Sequence, residues 1–362
     1  MTKIRVGVVG TSEWADFLHL PSLKSHPQAE IVAICGRNRE RATELAQKYG
    51  ITNIYTDYHD MIANGKLDAV LVLTPDDLHY EITMAALDAG LHVLCEKPLA
   101  NTASQARAMY EKAEAAGVVH MAFFTWRWNP YIQYFHNLVE QGFVGRGYHC
   151  HLKFVGDYGH SPQYSWRFDA QRANGILGDL GVHMIDLAHW LVGDIVRVSA
   201  HLANHVDRVD AGGQPVQPAN DSALLLVEFA NGTQGVIEAS AVAQTGERWM
   251  DQRIALHGQS GGLEATIFFG QGAAMYGARA GQSEPQQLVL PEQAWGAVDQ
   301  SQPFASKLAE LFCQQSIGAR LFIDSILAGR AVTPSFYDGW KAQQVIDAAL
   351  ASHEQKRWVD VQ

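Results

Sequence analysis

The chain has 362 residues, 47% hydrophobic and 18% charged, with a formal charge of −11 at pH 7. That length holds two ordinary domains with substantial cores. The acidic balance argues against a general nucleic-acid binder, and no apolar run approaches the roughly 20 residues that span a bilayer. Cys35, Cys95, Cys150 and Cys313 form no C-x-x-C, so neither a disulfide framework nor a structural zinc site is expected. A reducing, cytoplasmic setting is the default. Residues 1–6 carry one basic pair but pass directly into a strand, which is not the pattern of a signal peptide.

In chain order, the first third alternates strand and helix. Ile4–Val9 reads as an apolar strand that turns at Gly10 into a helical segment. A second strand at 31–35 precedes a charged amphipathic helix over 38–49, ended by Gly50. A buried strand at 69–73 turns through 74–76 into a helix that runs to Ala89 and stops at Gly90. A strand from 91, a helix over 104–116 and a strand over 118–124 complete the set. Short connections in this alternation predict an α/β domain over 1–124 on a parallel, doubly wound sheet.

After Trp126 the rhythm changes. A helix at 130–141 leads to an alternating strand at 148–155, and another helix is expected over 180–191. Strand-like runs follow at 196–202, 223–229, 233–240, 253–257 and 263–269, with helices at 307–328 and 338–352. Strands in series with helices to one side predict an α+β domain over 125–362, built on a large, mostly antiparallel, open-faced sheet. The uncovered face needs a partner, so a homodimer or homotetramer through this sheet is expected. Segments 207–220 and 277–304, rich in Gly, Gln, Asp and Pro, read as excursions between elements.

Chemistry concentrates at the strand ends. Gly10-Thr11-Ser12-Glu13-Trp14-Ala15 lies between strand and helix, where a dinucleotide fingerprint belongs. Gly10 suits the tight turn, and the helix N-terminus offers N–H groups to a pyrophosphate. Ser12 stands where the second glycine is usual, so the loop reads either as a cofactor site or as a plain strand–helix turn. The second strand ends in Gly36-Arg37-Asn38, with Arg39 and Arg41 close behind. NAD-selective folds place a carboxylate here; a glycine and guanidinium groups favour a 2′-phosphate, and so NADP over NAD, unless the arginines only solvate a helix face. Leu91–Leu99 is an apolar strand closed by Glu96-Lys97-Pro98. Ligands sit beyond the carboxyl ends of parallel strands, so Lys97 is either a site lysine or a surface lysine paired with Glu96.

Two further motifs are Thr74-Pro75-Asp76-Asp77-Leu78-His79 and Gly178-Asp179-Leu180-Gly181-Val182-His183-Met184-Ile185-Asp186. With the glycine loop and Glu96-Lys97-Pro98, in this order, the chain from Ile4 to about Val361 resembles the Gfo/Idh/MocA oxidoreductases, the group of glucose-fructose oxidoreductase and inositol 2-dehydrogenase. The resemblance implies a Rossmann domain for 1–124 and a substrate-binding and oligomerisation domain for 125–362. It implies that Lys97 touches nicotinamide ribose and substrate hydroxyl, that the Lys97–Pro98 bond is often cis, and that Thr74, Pro75 and His79 line the cofactor. Gly10, Thr11, Ser12, Glu13, Trp14, Gly36, Arg37, Asn38, Arg41 and Glu96 complete that cofactor set. Arg127 and the Trp166-Arg167 pair join it as cofactor or substrate contacts, with burial or packing the alternative for each.

Asp179 and His183, four residues apart on a helix, share a face. Histidine is the side chain whose unperturbed pKa is nearest neutrality, so His183 is the natural proton carrier; Asp179 binds a substrate hydroxyl or orients the histidine, and Asp186 is either part of the site or a structural partner. The same residues suit a metal, but the family uses none, and none is expected. His149 and His151 share a strand face, either as metal ligands or on an exposed or interface strand. The expected activity is hydride transfer between NADP(H) or NAD(H) and a secondary alcohol or ketone of a sugar, polyol or related cyclic substrate. His183 or Lys97 moves the proton. Two other readings stay open: an NAD-dependent glycosidase with an internal redox cycle, and a non-catalytic sensor that keeps only ligand binding.

Overall fold

The apolar runs of the first third become a six-stranded parallel sheet. The structure, a computed structural model, describes residues 3–362. The strands are β1 (Ile4–Val9), β2 (Ala29–Cys35), β3 (Asn53–Tyr55), β4 (Ala69–Val72), β5 (His92–Glu96) and β6 (His120–Phe123), in the spatial order β3-β2-β1-β4-β5-β6. All four residues of β4 are buried, as in a strand covered on both faces. The order reverses between β1 and β4, so the crevice beyond their carboxyl ends is the switch point where such sheets bind ligands.

Helices α1 (Leu20–Ser25), α2 (Arg39–Tyr49), α3 (Tyr58–Asn64), α4 (His79–Asp88) and α5 (Ala103–Ala116) connect the strands. The caps follow the sequence: the Asn38 side chain accepts from Arg41 N, and Thr102 accepts from Gln105 N. The pattern of 50–68 gave no sign of β3 or α3, which are short and half-exposed.

The chain divides into two compact units. The first holds the described residues up to Phe124 together with Gly296–Gln300 and Ser306–Trp340. The expected division into 1–124 and 125–362 did not include this returning segment. Within it, the single helix expected over 307–328 is broken: α8 (Phe304–Gln314) and α9 (Gly318–Ala328) are separate, and Gly318 sits at φ +53°. α9 packs on β5 and β6, and Ser22 Oγ donates to Phe312 O at 2.9 Å.

The second unit is a nine-stranded sheet. Its strands are β7 (Gly147–Gly156), β8 (Ile195–Ala203), β9 (Ser222–Phe229), β10 (Gln234–Ser240), β11 (Met250–Gly258), β12 (Gly261–Phe268), β13 (Gly272–Arg279), β14 (Gln286–Gln287) and β15 (Val359–Asp360). They run in the order β14-β13-β12-β11-β7-β10-β9-β8-β15, antiparallel except for the β7–β10 pair. β13 escaped the sequence reading because Gly272–Arg279 lacks apolar alternation; its register with β12 holds it. The inner face packs against α6 (Pro130–Glu140) and α7 (Val182–Leu191), and Leu152, Ile237 and Ile254 are buried there.

The outer face keeps Leu224 and Leu226 48% and 51% exposed, with Tyr276 also exposed. His149 and His151 lie on this face. The His149 ring stacks on His257 at 4.8 Å, and His151 approaches Glu238 at 3.8 Å. Among the described residues no group of three or more ligating side chains assembles around them. No described helix is long and apolar enough to cross a membrane, and all four cysteines are free.

The 207–220 excursion is anchored rather than loose. Arg208 pairs with Asp221 at 3.4 Å, donates to Gly159 O, and lies 3.9 Å from the Phe168 ring centroid. Asp221 also accepts from His205 N and Val206 N. Both side chains are buried, so removing one partner strands a charge. Arg208→Ala is expected to destabilise by about 3–5 kcal/mol. Urea unfolding checks this; a loss below about 1 kcal/mol would mean the pair is not a buried anchor.

Candidate active site

In the first unit, the glycine loop makes a tight strand-to-helix turn. Gly10 sits at φ +123°, and a Cβ there would lie 2.4 Å from Leu73 O, so the backbone of the β1 and β4 ends meets with no side chain between. Ser12 Oγ accepts from Ala15 N at 3.2 Å, where a π-helical turn (Ala15–His19) leads into α1. Gly36, at the end of β2, packs so closely on Thr11 that a Cβ would fall 2.5 Å from Thr11 Cγ2. The residues present therefore fit a dinucleotide along Gly10–Trp14 and Gly36–Asn38.

The predicted arginines differ in what they can offer. Arg37 and Arg39 are exposed, whereas Arg41 is engaged with Glu44 Oε2 at 3.0 Å and Asp16 Oδ2 at 3.1 Å. No carboxylate stands at the Gly36–Asn38 turn.

At the end of β5 the Glu96 side chain is buried and collects the surrounding loops. Its Oε1 accepts from Trp14 Nε1 at 3.0 Å and meets His19 Nε2 at 2.8 Å, while Oε2 accepts from Lys97 N at 3.1 Å. Burial alone would raise the carboxyl pKa, but the His19 bond and charge, the Lys97 charge and the Lys97 N–H outweigh it and hold Glu96 below the usual range. The alternative to a site lysine was a surface pair between Lys97 and the Glu96 side chain. Instead, Glu96 turns inward and binds the Lys97 backbone.

The Lys97–Pro98 bond is cis. His79 is fully buried with Nδ1 2.7 Å from Pro98 O and Nε2 2.9 Å from Thr74 O. Burial pushes its pKa down, so the neutral ring donates to one carbonyl at a time. It thus clamps the β4 turn to the Lys97-Pro98 peptide instead of presenting a ring nitrogen to a ligand.

In the second unit, one π-helical turn (Leu177–Gly181) flows into α7, so Asp179 lies in that turn, before the helix expected over 180–191. Asp179 Oδ2 accepts from Tyr158 Oη at 2.7 Å and from Arg167 Nε at 3.1 Å. Burial and the neighbouring Asp179 carboxylate push the Tyr158 hydroxyl well above its usual pKa, which keeps it a neutral donor. Arg167 also lies 4.5 Å from the centroid of Trp166.

His183, 5% exposed, sits edge-on to Trp126 at 6.4 Å and beside Phe154 at 6.1 Å. Arg127 forms a two-bonded fork with Asp186, at 2.9 and 2.6 Å, both side chains buried. That pair ties α7 to the turn at Thr125–Trp128 and makes Asp186 the structural partner of the two options its spacing allowed.

The residues 4–124 match the family model described as the oxidoreductase family with an NAD-binding Rossmann fold, and 132–264 match its GFO/IDH/MocA C-terminal domain. A levoglucosan dehydrogenase from Pseudarthrobacter phenanthrenivorans is 30% identical over 355 residues, 91% of this chain and 88% of the relative. The chain is a Gfo/Idh/MocA oxidoreductase. A myo-inositol 2-dehydrogenase from Thermotoga maritima is 30% identical over 72% of this member and 75% of its own length. The solved complex of levoglucosan dehydrogenase with NADH and levoglucosan superposes with a TM-score of 0.88 at 28% identity, covering 99% of this chain and all of that one.

His19 and Tyr158 escaped the sequence reading of this family member. Neither stands at a motif spacing; each reaches a carboxylate 77 or 21 residues away, which only the fold brings close. The Glu96 network makes a pH prediction. A depressed folded-state pKa stabilises fully above the unfolded value, near 4.3, and the gain disappears as pH falls through the folded value. The melting-temperature difference between wild type and Glu96→Gln should be largest near neutrality and shrink below about pH 4.3. A difference that is constant from pH 7 to 3 would show that Glu96 is not held ionised.

Proposed function

We propose that this Gfo/Idh/MocA enzyme interconverts a secondary alcohol and a ketone on a sugar, polyol or related cyclic substrate. When bound, the nicotinamide supplies the hydride acceptor or donor. Gly10, Thr11, Ser12, Glu13 and Trp14 hold the pyrophosphate side, and Gly36, Arg37 and Asn38 the adenosine ribose. Thr74, Pro75 and Glu96 shape the strand ends around Lys97. In this reading 1–124 binds cofactor, and 125–362 binds substrate and assembles copies of the chain through the outer sheet face, in the cytoplasm.

The Lys97 ammonium polarises the substrate hydroxyl, fixed in place because its own backbone N–H is bound by Glu96. His183 takes the hydroxyl proton in the oxidation direction and returns it in reduction. Asp179, oriented by Tyr158 and Arg167, binds a neighbouring hydroxyl. What carries the reading is the pairing of a lysine at the carboxyl end of β5, the strand beside β4, with a family match over both units, whose relatives are named for sugar and inositol substrates.

We further propose a preference for NADP, supported by the missing carboxylate and the exposed Arg37. Fluorescence titration should show tighter NADPH than NADH binding, and Arg37→Ala should weaken NADPH about 10-fold or more while sparing NADH. Tighter NADH binding, or non-exchanging bound NAD, would overturn the preference. Lys97→Ala should cut kcat by about 10²–10⁴-fold with cofactor affinity nearly kept; near-normal turnover would remove its role. His183→Asn should delete one limb of the pH–rate profile, and an unchanged profile would assign the proton to Lys97.

A further inference from the structure

Trp249, immediately before β11, is 48% exposed, and its backbone sits at φ +58° and ψ −63°. A left-handed backbone is unfavourable for a bulky side chain and persists only where its surroundings impose it. Here they do. Trp249 N donates to Gly246 O at 3.0 Å, and the buried Thr245 hydroxyl donates to Trp249 O at 2.8 Å. The turn decides which way the indole points. Asp251 and Arg253 lie in the outer row of β11 with His257, so an unbroken strand would put Trp249 there too. Instead its ring meets Phe269 edge-on at 5.3 Å, and Phe269 follows β12 in the buried row of Leu263, Ala265 and Ile267.

Two routes lead from that indole to the proposed substrate groups, both within the second unit. By one, Phe269 lies 5.8 Å from Trp126, whose ring is edge-on to His183. By the other, Met250 pairs with Gly156, where a Cβ would lie 3.1 Å from Tyr158 Cδ1, in the ring whose hydroxyl donates to Asp179. A half-exposed aromatic face thus stands at the end of the sheet that carries Asp179 and His183. Arg248 beside it is drawn to Asp251 at 3.1 Å and lies 5.5 Å from the Phe268 ring, so its charge is engaged in the outer row. An uncharged, flat, apolar face suits a saturated ring. The C–H groups of one side lie on the aromatic plane, while the hydroxyls at the rim stay with polar groups such as Asp179. An open-chain polyol has no such face, and an epimer that turns a hydroxyl onto it would bury that hydroxyl against carbon.

We propose that Trp249 is the platform on which the C–H face of a ring-form sugar or cyclic polyol stacks, and that it sets which epimers the enzyme accepts. This rests on the function proposed above.

The test compares wild type, Trp249→Gly and Trp249→Tyr on D-glucose, levoglucosan and myo-inositol, with D-glucitol as the open-chain control, assayed as substrate or competitive inhibitor. Glycine adopts this backbone without penalty, so the turn outlasts loss of the ring. Melting temperature and NADPH and NADH affinity are measured alongside. On the ring-form substrate that wild type turns over best, Trp249→Gly should raise KM about 10-fold or more, with cofactor affinity unchanged. Trp249→Tyr should recover most of that loss. The kcat/KM ratio between this substrate and its least accepted single-carbon epimer should shrink in Trp249→Gly, and the affinity for D-glucitol should change less than about 2-fold. The inference is overturned if Trp249→Gly keeps the ring-form KM, or if it weakens D-glucitol equally. It is also overturned if both variants lose melting temperature with KM unmoved, since the indole would then only pack on Phe269. A wild type that turns over no neutral sugar or polyol removes the functional reading itself, and this inference with it.

Discussion

The Glu96 carboxylate is the constraint on which the first unit's chemistry depends. A carboxylate at the end of a buried strand is costly unless its lone pairs are filled, and here they are filled by Trp14, His19 and the Lys97 N–H. Each of those partners belongs to a different part of the site: the glycine loop, the helical segment after it, and the lysine peptide. One buried charge thus couples the glycine loop to the Lys97 peptide. On the other side of the same peptide, His79 bridges Pro98 O and Thr74 O, so the backbone around Lys97 is held from both directions. A side chain of this length carries many rotamers, and fixing its root lowers the entropy lost when it engages a ligand.

The second unit follows the same rule with different partners. Two buried ion pairs are closed on themselves, Arg127 with Asp186 and Arg208 with Asp221, while Asp179 is met by the part-exposed Arg167 and the Tyr158 hydroxyl. Such pairs add little net stability compared with apolar packing, yet losing one partner is expensive, so they act as registers for the elements they join. Arg127–Asp186 sets α7 against the Thr125–Trp128 turn, and Arg208–Asp221 joins the segments around 159 and 205–221.

Much of this was legible in the sequence because it is written in local signals. Alternation of apolar strands with helices capped at Gly50, Gly90 and Gly117 fixes the parallel sheet. Its reversal between β1 and β4 places Gly10 at the switch point, with Lys97 one strand further on at the end of β5. Period-two burial in β7, β9 and β10 gives the second sheet in the same way. What was not legible depends on partners far along the chain. β13 has a glycine-rich, unpatterned sequence and exists through its register with β12. Asp186 stays open between site and structural partner until Arg127, 59 residues earlier, is seen to occupy it. The α8–α9 break hides because the apolar pattern continues past Gly318, while the backbone there turns left-handed.

Arg41 shows how a charge count near a motif can mislead. Three arginines follow Gly36, and counted together they describe a basic patch suited to a 2′-phosphate. In the fold, Arg41 turns toward Asp16 and Glu44, and Asp16 gathers Lys48 and the Tyr49 hydroxyl as well. Burial would raise the Asp16 pKa, but the bonds from Lys48 and Tyr49 and the charges of Lys48 and Arg41 outweigh it, so the carboxylate stays ionised. Burial and that same carboxylate push the Tyr49 hydroxyl up to about 12, leaving it a donor. The cluster is electrically closed and ties α2 to the helical segment after the glycine loop. The preference we propose therefore rests on a narrower base than the arginine count: on the exposed Arg37 and Arg39, and on the absence of any carboxylate at Gly36 that would repel a phosphate. In that proposal, discrimination at this turn is a matter of one missing negative charge and the exposed guanidinium groups of Arg37 and Arg39, because Arg41 already answers to Asp16 and Glu44.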